Sequence, residues 1–234
     1  SQGQVDVEKR LWVSLDWEKM PSGKLKVPII ITQSKGNQGI VYAPVYNPDS
    51  PKPETIKGFV ESNGYVSLEA PHYTHKVEND SIFWQCIPNL GRTLSSLTPF
   101  PITAPDQTPG GSSPCLEYSI YFFSSGEVTV KAYLCPTLNF PNGQGLGYGI
   151  SFDQQQPQII NMHAGFSFQD WEESVRTNTN IQVSTHHLDR TGQHILKFWM
   201  VDPGVVLQKL VIDTGGLKSS YLGPPESYYQ QNNQ

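Results

Sequence analysis

The chain has 234 residues, a length that suits one all-β domain or a small unit joined to a larger one. Charged residues make up only 16%, whereas 20 glycines and 19 prolines imply many turns and short strands rather than long helices. A net charge of −5 argues against nucleic acid or an anionic membrane surface as a partner, and no apolar run reaches the roughly 20 residues needed to span a bilayer.

Residues 1–48 read as a small β unit. Leu11, Val13, Leu15 and Trp17 alternate with polar residues, the period of a half-buried strand. After the turn MPSGK come the strands VPIIIT (Val27 to Thr32) and IVYAPVY (Ile40 to Tyr46). Three such strands bury little alone, so the unit is expected to lean on other structure. Residues 49–57 are proline-rich and charged, the composition of a semi-extended linker.

Residues 58–226 carry a regular succession of short strands. YVSLEA, SIFWQCI, CLEYSIYFF, VTVKAYL and YGISFD are followed by QIINMHA, IQVSTHHL, HILKFWMV and VLQKLVI. That number of strands predicts two packed antiparallel sheets, a jelly-roll β-sandwich, with one short helix near Gln169 to Arg176. Asp202, Pro203 and Gly204 supply a tight turn between the last two strands. The polar tail, residues 227–234, reads as disordered. Cys86, Cys115 and Cys135 match no metal-binding spacing. They are read as buried thiols, with a Cys115–Cys135 disulfide plus one free thiol as the alternative.

Several long segments, in one order, resemble the C-terminal region of glycoside hydrolase family 115, the xylan α-glucuronidases. They are RLWVSLDW, GFVESNGYVSLEAPHYT, IPNLGRTLSSLTPFPITAPDQTPGGSSPCLEY, SSGEVTVKAYLCPTLNF, PTLNFPNGQGLGYGISFD and HILKFWMVDPGVVLQKLVIDTGGLKSSYLGPPES. In that family the catalytic domain lies upstream of this region. The resemblance therefore implies a galactose-binding-like jelly roll without catalytic residues of its own. It implies an accessory module whose partners are the parent catalytic domain and a plant cell-wall polysaccharide, glucuronoxylan or xylo-oligosaccharides. A structural or dimerisation domain without a ligand is the alternative. The setting would be secreted or periplasmic. SQGQVDVEKR is too polar for a cleavable signal peptide, so export implies a longer precursor.

VSLEAPHYT also resembles the opening strand of carbohydrate-binding module families 6 and 35, which often hold a structural calcium. Glu69 stands at the first acidic position, but Pro71 stands at the second and Gln208 at the closing aspartate. Calcium needs six or more oxygens, several charged, so no cofactor is expected, a weak structural calcium being the alternative. Val206 stands near the sugar-binding asparagine of family 35.

The residues themselves nominate a sugar site at one loop end. A pyranose offers a C–H face to an aromatic ring and hydroxyls to amides and charged groups. Trp84 borders IPNLGR, although Phe83 beside it leaves a core role open. Trp171 lies in the polar segment QDWEES and reads as exposed, for a glycan or for a domain contact. Asn139, Asn142 and Tyr148 belong to a glycine-rich loop, NFPNGQGLGY, suited to close approach. Arg92 is the candidate for bidentate capture of a glucuronic acid carboxylate, against an ordinary surface ion pair. No pair of carboxylates stands out for glycosidic cleavage.

Overall fold

The structure is a computed structural model, and it describes residues 13–17, 19–48, 51, 55–140 and 143–230. The chain divides into two compact units, Ser1–Thr55 and Ile56–Gln234.

The first unit is an antiparallel hairpin of β1 (Gly23–Thr32) and β2 (Gln38–Asn47), paired from Gly23↔Asn47 to Thr32↔Gln38. Leu25, Val27, Ile29 and Ile31 share one face with Val41, Ala43 and Val45, as strand alternation dictates. The strand expected at Leu11 to Trp17 does not form over its described part. Residues 13–17 carry no ladder, and the Lys19 N–H and ammonium turn back onto Asp16. Leu11 and Trp12 lie outside the described residues.

The second unit is a β-sandwich. Its strands in chain order are β3 (Gly58–Val60), β4 (Tyr65–Glu69), β5 (His75–Val77), β6 (Phe83–Ile87), β7 (Ser96–Phe100), β8 (Cys115–Phe122) and β9 (Gly126–Leu134). Then come β10 (Gly147–Phe152), β11 (Gln158–Asn161), helix α1 (Phe168–Thr177), β12 (Asn180–Leu188), β13 (Gly192–Met200), β14 (Leu207–Asp213) and β15 (Tyr229–Gln230). One sheet runs β11-β10-β13-β8-β3-β15, with β5 also on β8; the other runs β12-β9-β14-β7-β6, with β4 also on β14. Pairing is antiparallel except between β3 and β8.

Alternation builds the core. Leu116, Tyr118, Ile120 and Phe122 of β8 meet Val128, Val130, Ala132 and Leu134 of β9 in one buried cluster. The β13–β14 turn forms as its Asp-Pro-Gly sequence dictates. Gly204 has φ +90, and a Cβ there would come within 2.8 Å of the Phe140 ring.

Two boundary readings change. The last two residues read as linker already belong to the sandwich: Ile56 is buried, and the Lys57 carbonyl accepts from Gln193 Nε2. The described part of the tail, residues 227–230, is ordered. Ser227 exchanges hydrogen bonds with Ser67, and β15 pairs with β3, which brings Tyr229 to 4.8 Å from Phe59. Free backbone edges and an aromatic contact outweigh the low-complexity composition. Between β14 and β15 the chain crosses the outer face of the six-stranded sheet as a strap. Lys209 Nζ holds the Pro224 carbonyl, and Ser67 and Glu69 hold Pro224, Glu226 and Ser227. Cys115 and Cys135 are buried free thiols as expected, whereas Cys86, on the edge strand β6, is an exposed free thiol and not a buried one.

Candidate functional site

Helix α1 divides the surface near the start of β12. It begins with a capping box: Ser167 Oγ accepts from the Asp170 N–H, and the Asp170 carboxylate accepts from the Ser167 N–H. The Ser167 hydroxyl also donates to the Asp170 carboxylate at 2.6 Å, and this bond, followed by that from the Ser167 N–H, holds the Asp170 carboxyl below its ordinary value. The helix ends at Asn178 in the left-handed conformation, whose N–H reaches the Ser174 and Val175 carbonyls. Helical spacing puts Asp170, Glu173, Ser174 and Thr177 on one flank and Trp171, Val175 and Asn178 on the other.

The first flank walls an open cleft of about 530 Å³. Asn180 and Gln182 of β12 line it, and Ser220 and Tyr221 of the strap face the helix across it. The Asn180 and Gln182 amides are tied to each other (2.6 Å) and to the Met162 carbonyl. Tyr221 is 63% exposed.

Arg92 holds this cleft together. Its Nε donates to the Thr177 carbonyl at 2.6 Å and its Nη1 to the Tyr221 carbonyl at 2.5 Å. Its Cζ lies 4.4 Å from the centroid of the Tyr221 ring, a cation–π contact. Its backbone N–H donates to Gln208 Oε1, whose Nε2 in turn bonds the Asn178 carbonyl at 2.8 Å. Gly91 permits this approach: at φ +129, a Cβ would lie 3.2 Å from Gln208 Oε1. Arg92 is thus a clamp that joins loop, helix end and strap, and presses the Tyr221 ring from one side.

The second flank borders a smaller, apolar depression of about 340 Å³. Trp171, Val175, Leu90, Pro136 and Val206 line it. Trp171 is partly buried there, on the side of the helix away from the cleft.

Residues 58–226 match the family model described as the glycosyl hydrolase family 115 C-terminal domain. The chain belongs to this family. The family 115 domain is similar in structure, at 18% identity and TM-score 0.49, to a family GH115 4-O-methyl-α-glucuronidase with specificity for decorated arabinogalactans. That match covers 62% of this chain but only 17% of that protein. The C-terminal family 6 carbohydrate-binding module of LamC, a marine laminarinase from Zobellia galactanivorans, matches at 12% identity and TM-score 0.42, covering 64% of this chain and 98% of that one. A family 35 module from Clostridium thermocellum matches at 10% and 0.42, over 63% and 96%. No curated protein matches the sequence.

The family 115 domain does not assemble the loop-end site expected from its sequence. Trp84 is 5% exposed; its ring meets Phe198 edge-on at 6.2 Å, and its Nε1 donates to the Val77 carbonyl. Tyr148 is 1% exposed and stacks on Phe198 at 5.0 Å, and burial pushes its phenol up. Both rings belong to the core, because alternation turns Phe83 outward when Trp84 points in, and β10 is flanked on both sides, by β11 and β13. Asn139 is exposed, but its Oδ1 accepts from the Gly145 N–H and closes its own loop. Asn142 lies outside the described residues. Of the nominated residues, only Arg92 lines the cleft, and as a clamp on carbonyls. Tyr221, the exposed ring there, had one available signal: an aromatic between Ser219, Ser220 and Gly223, the polar setting that also marks Trp171.

The calcium ligands do not fit either. Glu69 Oε1 pairs with Lys209 Nζ at 2.9 Å, and both its oxygens accept from Thr93 Oγ1. Pro71 brings no side-chain oxygen, and Gln208 Oε1 is engaged by the Arg92 N–H.

Proposed function

We propose that this family 115 domain is a non-catalytic accessory module of an α-glucuronidase-type enzyme and that it binds plant polysaccharide, glucuronoxylan or a related polymer, outside the cell or in the periplasm. The observation that carries this reading is the Tyr221 ring, clamped from behind by Arg92 and open to the cleft. A fixed, exposed aromatic face stacks on a pyranose at low entropic cost. The two carboxylates of the cleft have other work: Asp170 caps α1, and Glu173 pairs with Arg176 at 2.6 Å. Neither resembles a paired acid and base. Tethering such a module to a catalytic region raises the local concentration of polymer.

Calorimetric titration with xylo-oligosaccharides, with and without glucuronosyl groups, tests the proposal. Dissociation constants in the micromolar to millimolar range, about 4–8 kcal/mol, are expected. Tyr221→Ala should weaken binding about tenfold. The pure chain should release no glucuronic acid.

A purely structural role has its own support. Phe83 and Phe100 stand 6.1 Å apart, 47% and 37% exposed, and Ile102, Leu138 and Phe140 add exposed apolar surface near the same end of the sandwich. Such a patch suits packing against the rest of the enzyme. Phe140→Ser in the complete enzyme would then impair assembly while leaving oligosaccharide binding by the isolated chain unchanged.

A further inference from the structure

We infer that the cleft takes neutral sugar residues and leaves glucuronosyl groups in solvent, an inference that rests on the carbohydrate-binding reading above. Among the described residues, Arg92 is the one lysine or arginine lining the cleft. Its guanidinium donates to the Thr177 and Tyr221 carbonyls and covers one face of the Tyr221 ring. Bidentate grip of a carboxylate needs two parallel N–H groups of one guanidinium edge. Both such edges of Arg92, Nε with Nη2 and Nη1 with Nη2, include a nitrogen that the clamp already uses, so a carboxylate there competes with the Thr177 or the Tyr221 carbonyl. Arg176, the arginine of α1, is turned onto both Glu173 oxygens at 2.6 Å and is not among the residues lining the cleft.

The opposite wall carries the other sign. Asp170 and Glu173 both line the cleft, and the hydrogen bonds from Ser167 favour the ionised form of Asp170. A uronic acid entering there meets the charge of Asp170, with that of Glu173 offset in part by Arg176, whereas the hydroxyls of a neutral pyranose find carboxylate acceptors, and its C–H face finds Tyr221. The arrangement has a functional logic. A module that seized glucuronosyl groups would withhold them from the active site of an α-glucuronidase. One that grips neutral residues leaves the decorations free for hydrolysis.

The test is titration of the whole chain with neutral xylo- and galacto-oligosaccharides and with their glucuronosyl-bearing counterparts, at low and high salt. Neutral probes should bind as tightly as acidic ones or about two- to fivefold more tightly at low salt, with the gap closing at high salt. Glu173→Gln removes a charge and frees Arg176, so it should raise affinity for the acidic probes alone. If acidic probes bind more tightly, by a margin that shrinks in salt, this inference falls while the carbohydrate reading stands. If no probe binds at millimolar concentration, the carbohydrate reading itself falls.

Discussion

Lys209 and Glu69 face each other across the paired strands β14 and β4, with Nζ 2.9 Å from Oε1 and side chains 3% and 8% exposed. The ammonium also reaches the Pro224 carbonyl, so one internal cation joins two strands of the sheet to the strap that crosses it. Breaking such a pair from one side strands a buried charge. Lys209→Met should therefore cost about 3–5 kcal/mol in urea unfolding, and the double variant with Glu69→Gln distinctly less. Equal losses in the two proteins would show that the pair is solvated.

The same pair bears on calcium. The Glu69 oxygens are engaged by an ammonium and by a hydroxyl, so a divalent ion would have to displace both. Excess chelator should leave the melting temperature unchanged, and added calcium should not raise it. A drop that calcium reverses would refute this account of Glu69.

The tail makes a stability prediction. Deleting residues 227–234 removes the Ser227–Ser67 exchange, the bond from the Val60 N–H to the Tyr228 carbonyl and the Tyr229–Phe59 contact. A loss of about 2–4 kcal/mol is expected from those bonds and the uncovered Phe59. Wild-type stability in the truncated chain would restore the disordered reading of its composition.

His186 predicts a pH response. Burial pushes its imidazole down from 6.5 to about 4, and its Nε2 lies 2.8 Å from Ser184 Oγ. The folded value lies below the unfolded one, so the neutral ring is the form that folding favours. Its contribution is intact above about pH 6.5 and is lost as pH falls toward 4, because the unfolded chain takes a proton that the folded one resists. Discounted for the ring's partial exposure, the loss is about 1–2 kcal/mol. The difference in unfolding free energy between wild type and His186→Gln, followed from pH 7.5 to pH 4 in steps of roughly half a unit, should fall through that window. A constant difference would mean that solvent reaches the ring freely.

The sandwich was legible because strands with one buried face alternate: CLEYSIYFF and VTVKAYL predict β8 and β9 and their inward rows. Alternation says less about which of two adjacent bulky residues points inward. Phe83 and Trp84 are both apolar, and only the pairing of Phe83 with Phe100 on the outer face settles the choice. The cleft was harder to read. Tyr221 lies in a glycine- and proline-rich exit with no period, and it becomes a platform only through Arg92, 129 residues away. Arg92 itself was visible, but its role was not, since its acceptors are backbone carbonyls that sequence does not mark.

That dependence gives the sharpest test of the cleft. Arg92→Ala removes the bonds to the Thr177 and Tyr221 carbonyls and the charge behind the ring. The ring then loses its fixed pose, so affinity should fall for neutral and glucuronosyl-bearing oligosaccharides alike, by about fivefold or more, with little salt dependence. Arg92→Lys should not rescue it, because an ammonium cannot span two carbonyls with a planar fork. Trp171 serves as the control. It faces the apolar depression on the other side of α1, so Trp171→Ala should leave sugar affinity within about twofold, while the lost packing shows as reduced stability. A selective loss of acidic ligands in Arg92→Ala would instead make Arg92 a carboxylate receptor. A collapse of all binding in Trp171→Ala would move the site across the helix, because the two flanks of α1 share no lining residue.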